Sequence, residues 1–202
     1  MPWTPRARNG NTDAACAKMG SMKATVSKMT YDQYCLLPED GYQYEVFDGE
    51  LVMTPAPIPK HQRIVLRLAR ILDEFVEKNR LGQVYVSPID IVFDRYTILQ
   101  PDIIFIKESR LHIVGEEAIE GAPDLVVEVL SRSTLLKDRV RKLQTYSEFG
   151  VLEYWIVDPI KQVIELYERA GEELQFSKEF SSRDTLESPL LSGFQLPVAR
   201  IF

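Results

Sequence analysis

Residues 124–130, DLVVEVL, constrain this chain more than any other segment. The run is rich in β-branched residues and apolar at odd and even positions alike. Successive strand side chains point to opposite faces, so a strand of this kind must be covered on both. It therefore predicts a central, buried strand, with layers packed above and below the sheet. Within it stands Glu128, with Val127 and Val129 as neighbours. A carboxylate in that setting needs a cation, or its pKa rises. A buried salt bridge to an arginine or lysine would satisfy it, and so would a metal ion.

The rest of the chain supplies the layers. Residues 42–54 (YQYEVFDGELVMT) hold two β-prone segments around Asp48-Gly49, a hairpin signal. A short helix is expected over residues 30–39. Pro55, Pro57 and Pro59 precede a long amphipathic helix over residues 60–79, with Gly82 as its expected C-cap. Ile64, Val65, Leu68, Leu72 and Val76 form its apolar arc, and His61 projects from the same arc at its start. Strands are expected over residues 84–87, 89–93, 102–106, 153–157, 163–167 and 174–180, with a second helix over 134–149. Strands joined across helices predict an α/β (α+β) fold with a mixed β-sheet flanked by helices.

The chain has 202 residues, enough for one domain that buries a full core without disulfides. Cys16 and Cys35 have no zinc spacing, which favours a reducing, cytoplasmic setting. No apolar run is long enough to span a membrane. Residues 1–28 are polar and aperiodic and are expected to be a flexible tail, native or added in cloning. Residues 29–202 form the expected domain. The net charge of −6 counts against nonspecific nucleic-acid binding by simple attraction. Residues 132–142 depart from that balance, with five basic residues against one acid.

The acids on the expected central strands carry the chemistry. Asp102 leads into Ile103-Ile104-Phe105-Ile106 and Glu128 sits within its own apolar run. Two carboxylates on strands of one sheet can converge on a hard divalent cation such as Mg²⁺. That ion polarises a phosphoryl oxygen and activates water. Lys142 lies at the inner edge of the second helix's apolar arc on an ideal helix, placed to act on the phosphate. Arg139 lies inside that arc and is the second choice, while Lys137 and Arg141 project away. Glu50, opening the strand after the hairpin turn, and His61 are further candidates. Glu45, alternating through the first strand, is a weaker one, and His112 carries no signal.

Several segments occur here in a recognisable order: YEVFDGELVMTPAP, HQRIVLRL, QPDIIFI, PDLVVEVLSRST, KDRVRKLQTY and GVLEYWIVDP. Over residues 29–202 the chain resembles the Uma-two family of restriction-endonuclease-like proteins, within the PD-(D/E)XK nuclease superfamily. The resemblance implies a restriction-endonuclease-like core with Asp102 and Glu128 as metal ligands. Leu130 stands where the superfamily pattern places its lysine, and the resemblance makes Lys142 the substitute. It places Glu50 and His61 at polar positions that accompany the site, with Glu50 available to complete the metal shell. It also implies an endonuclease using Mg²⁺ (or Mn²⁺), acting on DNA as a homodimer. The alternative is a nuclease-fold module, weak or inactive in catalysis, that binds DNA or protein.

Overall fold

The computed structural model describes residues 28–38, 40–54, 56–131 and 137–202. Residues 1–27 of the expected tail, Arg132 and Thr134 lie outside them, while Lys28 is described and pairs with Asp48. In chain order the elements are α1 (Tyr31–Tyr34), β1 (Gln43–Phe47), β2 (Glu50–Thr54), α2 (Pro59–Asn79), β3 (Gly82–Val86), β4 (Ile91–Asp94), β5 (Thr97–Leu99) and β6 (Ile103–Lys107). A 3-10 helix, Glu108–Ile113, leads to β7 (Ile119–Glu120), β8 (Leu125–Val129), α3 (Lys137–Glu148), β9 (Glu153–Asp158), β10 (Val163–Ala170) and β11 (Glu173–Ser181). The hairpin β12 (Thr185–Glu187) and β13 (Gln195–Pro197) follows, then a 3-10 turn, Val198–Arg200.

The architecture is mixed α+β, as expected, but the strands divide between two principal sheets. The larger runs β11-β10-β9-β8-β6-β3, with β8 and β9 parallel and the other neighbours antiparallel. The second runs β2-β1-β5-β4-β7. The segment around residues 89–93 therefore belongs to the second sheet. Val46 of β1 pairs with Ile98 of β5, a long-range bridge that local pattern does not encode.

The larger sheet has an apolar core on each face. On one side α2 lays Ile64, Val65, Leu68, Leu72 and Val76 over Ile103, Phe105, Leu125, Val127 and Val129. On the other, Ile104, Ile106, Val126 and Ile156 meet Phe47, Leu99 and Tyr146 from the second sheet and α3. Odd and even strand positions thus feed different cores, and all five residues of β8 are buried. Each large side chain so buried contributes about 1.5–3 kcal/mol of transfer free energy.

Local chemistry sets the element ends. Pro59 opens α2 at its first position, where a missing N–H costs nothing. The helix closes at Arg80, which takes the left-handed conformation with φ 54°, in place of the expected Gly82. Gly82 instead starts β3, where a Cβ would run into the Ile106 carbonyl. The first helix is a single turn, held by a capping box between Thr30 and Gln33. Helix α3 begins at Lys137.

Candidate functional site

One end of the larger sheet gathers ionisable side chains from five elements. Glu128 is the fourth residue of β8, and Asp102 lies just before β6. Ile103 pairs with Val127 in antiparallel register, so continuing by one residue puts Asp102 opposite Glu128. Facing residues of an antiparallel pair project to the same side. Asp102 Oδ2 accepts from the Val129 N–H at 2.7 Å, which fixes the carboxylate against the next strand.

Helix α3 brings Lys142 to this point. Its Nζ lies 2.9 Å from Glu128 Oε1 and 2.9 Å from Glu45 Oε1. Tyr146, one turn further on, donates its hydroxyl to Glu128 Oε1 at 2.6 Å. Glu45 comes from β1, and the Gln100 N–H donates to its Oε1 at 3.1 Å. Glu45 and Glu128 are buried, and the Lys142 side chain is only 13% exposed.

Helix α2 contributes His61 from its first turn, with Nε2 3.2 Å from Asp102 Oδ2. His61 is buried, and its Nδ1 has no hydrogen-bond partner. Behind Glu45 lies a polar layer. Gln100 Nε2 donates to Asp90 Oδ1 at 2.8 Å and Tyr34 OH donates to the same oxygen at 2.7 Å.

The electrostatics follow from this packing. Three carboxylates share one ammonium and one imidazole in a nearly dry pocket. Burial pushes the Glu128 carboxyl up; Lys142 opposes it, Asp102 and Glu45 add to it, and the result is about 7. Burial alone would lower Lys142, yet Glu128 and Glu45 together hold it well above the usual lysine range. For His61 burial again pulls downward, and Asp102, through hydrogen bond and charge, leaves it raised. Burial, then the charge of Glu128, drives the Tyr146 phenol up, so it stays a donor.

The structure brings Asp102, Glu128, Lys142 and His61 together and does not bring Glu50. Glu50 has a 70% exposed side chain and pairs with Arg141 at 2.8 Å. The hairpin acid that enters the site is Glu45, five residues earlier. Position along the hairpin, not its face, explains this. Glu45 leads directly into buried Val46 and Phe47, whereas Glu50 pairs opposite Phe47 at the turn end of the hairpin. The signal was the one that singles out Glu128, an acid embedded among apolar residues. Arg139 is ion-paired with Glu165. Arg141 stacks on the Phe47 ring, 4.2 Å from its centroid. Asp90, Gln100, Tyr34 and Tyr146 carried no sequence signal, because their roles depend on long-range packing. His112 lies in the 3-10 helix after β6.

Among the described residues, no three acid, histidine or cysteine side chains stand close enough together to hold an ion as they are. The donor chemistry nevertheless fits Mg²⁺, which takes one or two carboxylates and otherwise keeps water. The surplus of buried carboxylate over buried cation is what such an ion offsets.

Among the described residues no helix is long and apolar enough to cross a membrane. Three likenesses to known proteins agree on kinship. An uncharacterised protein of Synechocystis sp., sll1609, is 24% identical over 152 residues, covering 74% of this chain and 85% of that protein. A crystal structure from Anabaena variabilis, described as a "putative nuclease belonging to DUF820", superposes with a TM-score of 0.71 at 21% identity. That match covers 86% of this chain and 97% of the other, and shows a shared fold. A family model described as "Uma2: Putative restriction endonuclease" matches residues 30–199, so the chain belongs to the Uma2 family.

Proposed function

We propose that this protein is a metal-dependent endonuclease that hydrolyses DNA phosphodiester bonds. One observation carries the reading: Glu45 and Glu128 share Lys142 at one sheet end, with Asp102 beside them on His61, so three carboxylates outnumber the cations there. Asp102 and Glu128 would hold Mg²⁺ or Mn²⁺, with Glu45 beside them and Glu50 outside the shell. When bound, the ion supplies Lewis-acid polarisation of the phosphoryl group and a more acidic water.

The chain's own residues do the rest. His61 holds Asp102 in one orientation from its buried side. Tyr146 keeps Glu128 Oε1 fixed. Lys142 carries its positive charge within 2.9 Å of both Glu45 and Glu128. A scissile phosphate arriving there meets an ammonium already desolvated and aimed, so little reorganisation is needed. In hydrolysis the water oxygen bonds to phosphorus, the P–O bond to the leaving sugar breaks, and the leaving oxygen takes up a proton.

Family membership supports a nucleic-acid substrate, and two sites in a homodimer would cut both strands of a duplex. The exposed, free Cys35 suits a reducing cytoplasm. Supercoiled plasmid incubated with Mg²⁺ or Mn²⁺ should be nicked and linearised by the wild type. Glu128→Ala and Lys142→Ala should each abolish this. Cleavage surviving both substitutions would refute the site. A second reading, a binding module without turnover, draws on Lys142 being fully engaged by two acids. Metal-dependent retention of DNA without any cleavage would select it.

A further inference from the structure

The basic run on α3 was the natural candidate to meet a nucleic-acid backbone, but its described cations are spent on acids. Arg139 pairs with Glu165, Arg141 with Glu50, and Lys142 with Glu45 and Glu128. A cluster of unspent cations lies on α2. Arg63, Arg67 and Arg70 follow one another along its outer face, and Arg200 joins them from the terminal 3-10 turn. Together they line a hollow of about 530 Å³ with no acid in its wall. Arg63, Arg70 and Arg200 are exposed and have no ion pair or hydrogen bond among the described residues. Arg67 is engaged by the main-chain oxygens of Ile201 and Phe202, so the free charge of the hollow is that of Arg63, Arg70 and Arg200.

The placement costs helix stability, which argues against an incidental solvated face. Charge is segregated along α2. Lys60, Arg63, Arg67 and Arg70 precede Asp73, Glu74 and Glu77, with Lys78 the one base in the last turn. A helix dipole favours the reverse, with acids at the N-terminus and bases at the C-terminus. The first turn has no acid at all. Arg63 and Arg67 are a like-charge pair one turn apart, which is also unfavourable. The basic half is the half that carries His61, so it lies at the same end of the helix as the carboxylates.

The geometry points to the Arg63–Arg67–Arg70–Arg200 hollow as a second phosphate-binding surface, which grips the DNA backbone beyond the scissile position. It rests on the nuclease reading for the identity of the polyanion. At about 1.5 Å of rise per residue, Arg63 to Arg70 spans roughly 10 Å. A DNA strand presents a phosphate about every 3.4 Å of axis, so the row can meet two or three. In a chain of net charge −6, this local cluster is what makes backbone binding favourable, and it is indifferent to base sequence.

The test is duplex binding in EDTA, so that no cleavage is involved. Fluorescence anisotropy with a 20-base-pair duplex is measured across a salt series for the wild type and an Arg63→Gln/Arg70→Gln/Arg200→Gln variant. Arg67 is left in place because it anchors the chain end. Each lost phosphate contact lowers the slope of log K against log salt by about 0.9, so the variant should lose about two to three. Its affinity at low salt should fall at least tenfold. A control variant, Arg95→Gln/Lys178→Gln/Arg183→Gln, changes the net charge equally and should keep the wild-type slope. Equal losses in both variants would reduce the effect to net charge and overturn the proposal. So would an unchanged slope in the first variant, or arginine-dependent binding to phosphatidylserine vesicles with none to the duplex. The nuclease reading fails separately, by absence of plasmid cleavage, and that result leaves the binding measurement intact.

Discussion

The two ends of the β6–β8–β9 region both bury acids, yet they bury them differently. At one end Asp124 is fully buried, and its Oδ1 lies 3.1 Å from Arg110 and 3.8 Å from Lys107. Its Oδ2 accepts from the Lys107 N–H at 2.9 Å. Glu153 beside it accepts from Trp155 Nε1 at 2.6 Å and from the Leu190 N–H at 2.9 Å. Asp124 Oδ1 is held by ion pairs without a hydrogen bond and the other three oxygens accept hydrogen bonds, so these acids tie the strand starts to the loops around them. At the other end Glu45, Asp102 and Glu128 share Lys142 and His61. A buried acid is therefore not by itself a mark of function. An unmatched set of them is, because folding alone gives no reason to keep it.

The comparison is sharpest where activity and stability part company. Glu128→Gln should lower plasmid cleavage by about 10³-fold or more, equivalent to about 4 kcal/mol of barrier. It should leave the melting temperature at pH 8 unchanged or higher, since it removes a desolvated charge. A destabilised Glu128→Gln protein would place Glu128 with the structural acids instead. Asp124→Ala should do the opposite. It strands Arg110 and Lys107 and should cost about 3 kcal/mol, lowering the melting temperature by roughly 6–12 °C. Cleavage per folded molecule should not change.

A smaller effect tests the electrostatics directly. The Glu128 carboxyl is held at about 7 in the folded protein, mainly by burial, against an ordinary value of 4.5. Between those pH values the folded state binds more protons than the unfolded state, so stability must fall as pH rises. The contribution of protonated Glu128 is complete below about pH 4.5 and gone above about 7. Raised His61 acts in the same direction, so the wild type alone does not isolate the effect. The difference between wild type and Glu128→Gln in urea midpoint, followed from pH 4.5 to 8, does. It should change by on the order of 2 kcal/mol, and parallel curves would show that Glu128 is not strained by its surroundings.

Much of this arrangement was legible in the sequence, where local pattern and final environment agree. The uniform apolar run of β8 exposed Glu128, and the helical angle of Lys142 placed it on the inner side of α3. His61 showed itself as a polar residue on an otherwise apolar helical arc. The division into two sheets did not show, because it is decided by pairings such as Val46 with Ile98 and Ile91 with Ile119. The pairing of the described α3 cations did not show either. Five basic residues in eleven look like a nucleic-acid surface, but the described ones, Arg139, Arg141 and Lys142, are met by Glu165, Glu50, Glu45 and Glu128 from distant strands. Conversely, the arginines of α2 look like an ordinary wet face until Arg200 closes the group from the far end of the chain.

The hairpin acids give the smallest expected effect and the cleanest decision. Glu45 and Glu50 lie five residues apart on paired strands, and residue type cannot distinguish them. Their environments can. Glu45 is buried and reaches the Lys142 ammonium that also holds Glu128, while Glu50 is exposed and pairs with Arg141 at the surface. Exposed ion pairs contribute about 0–1 kcal/mol, so Glu50→Ala should shift stability by less than about 0.5 kcal/mol. Cleavage should stay within about twofold of wild type, since a twofold change is only about 0.4 kcal/mol of barrier. Glu45→Ala should instead approach the loss seen in Glu128→Gln. Plasmid cleavage by the two alanine variants, run side by side, reads the difference. If Glu50→Ala proved the more damaging, the turn end of the hairpin would have to reach the substrate-bound site, and Glu45 would join Asp124 and Glu153 as a structural acid.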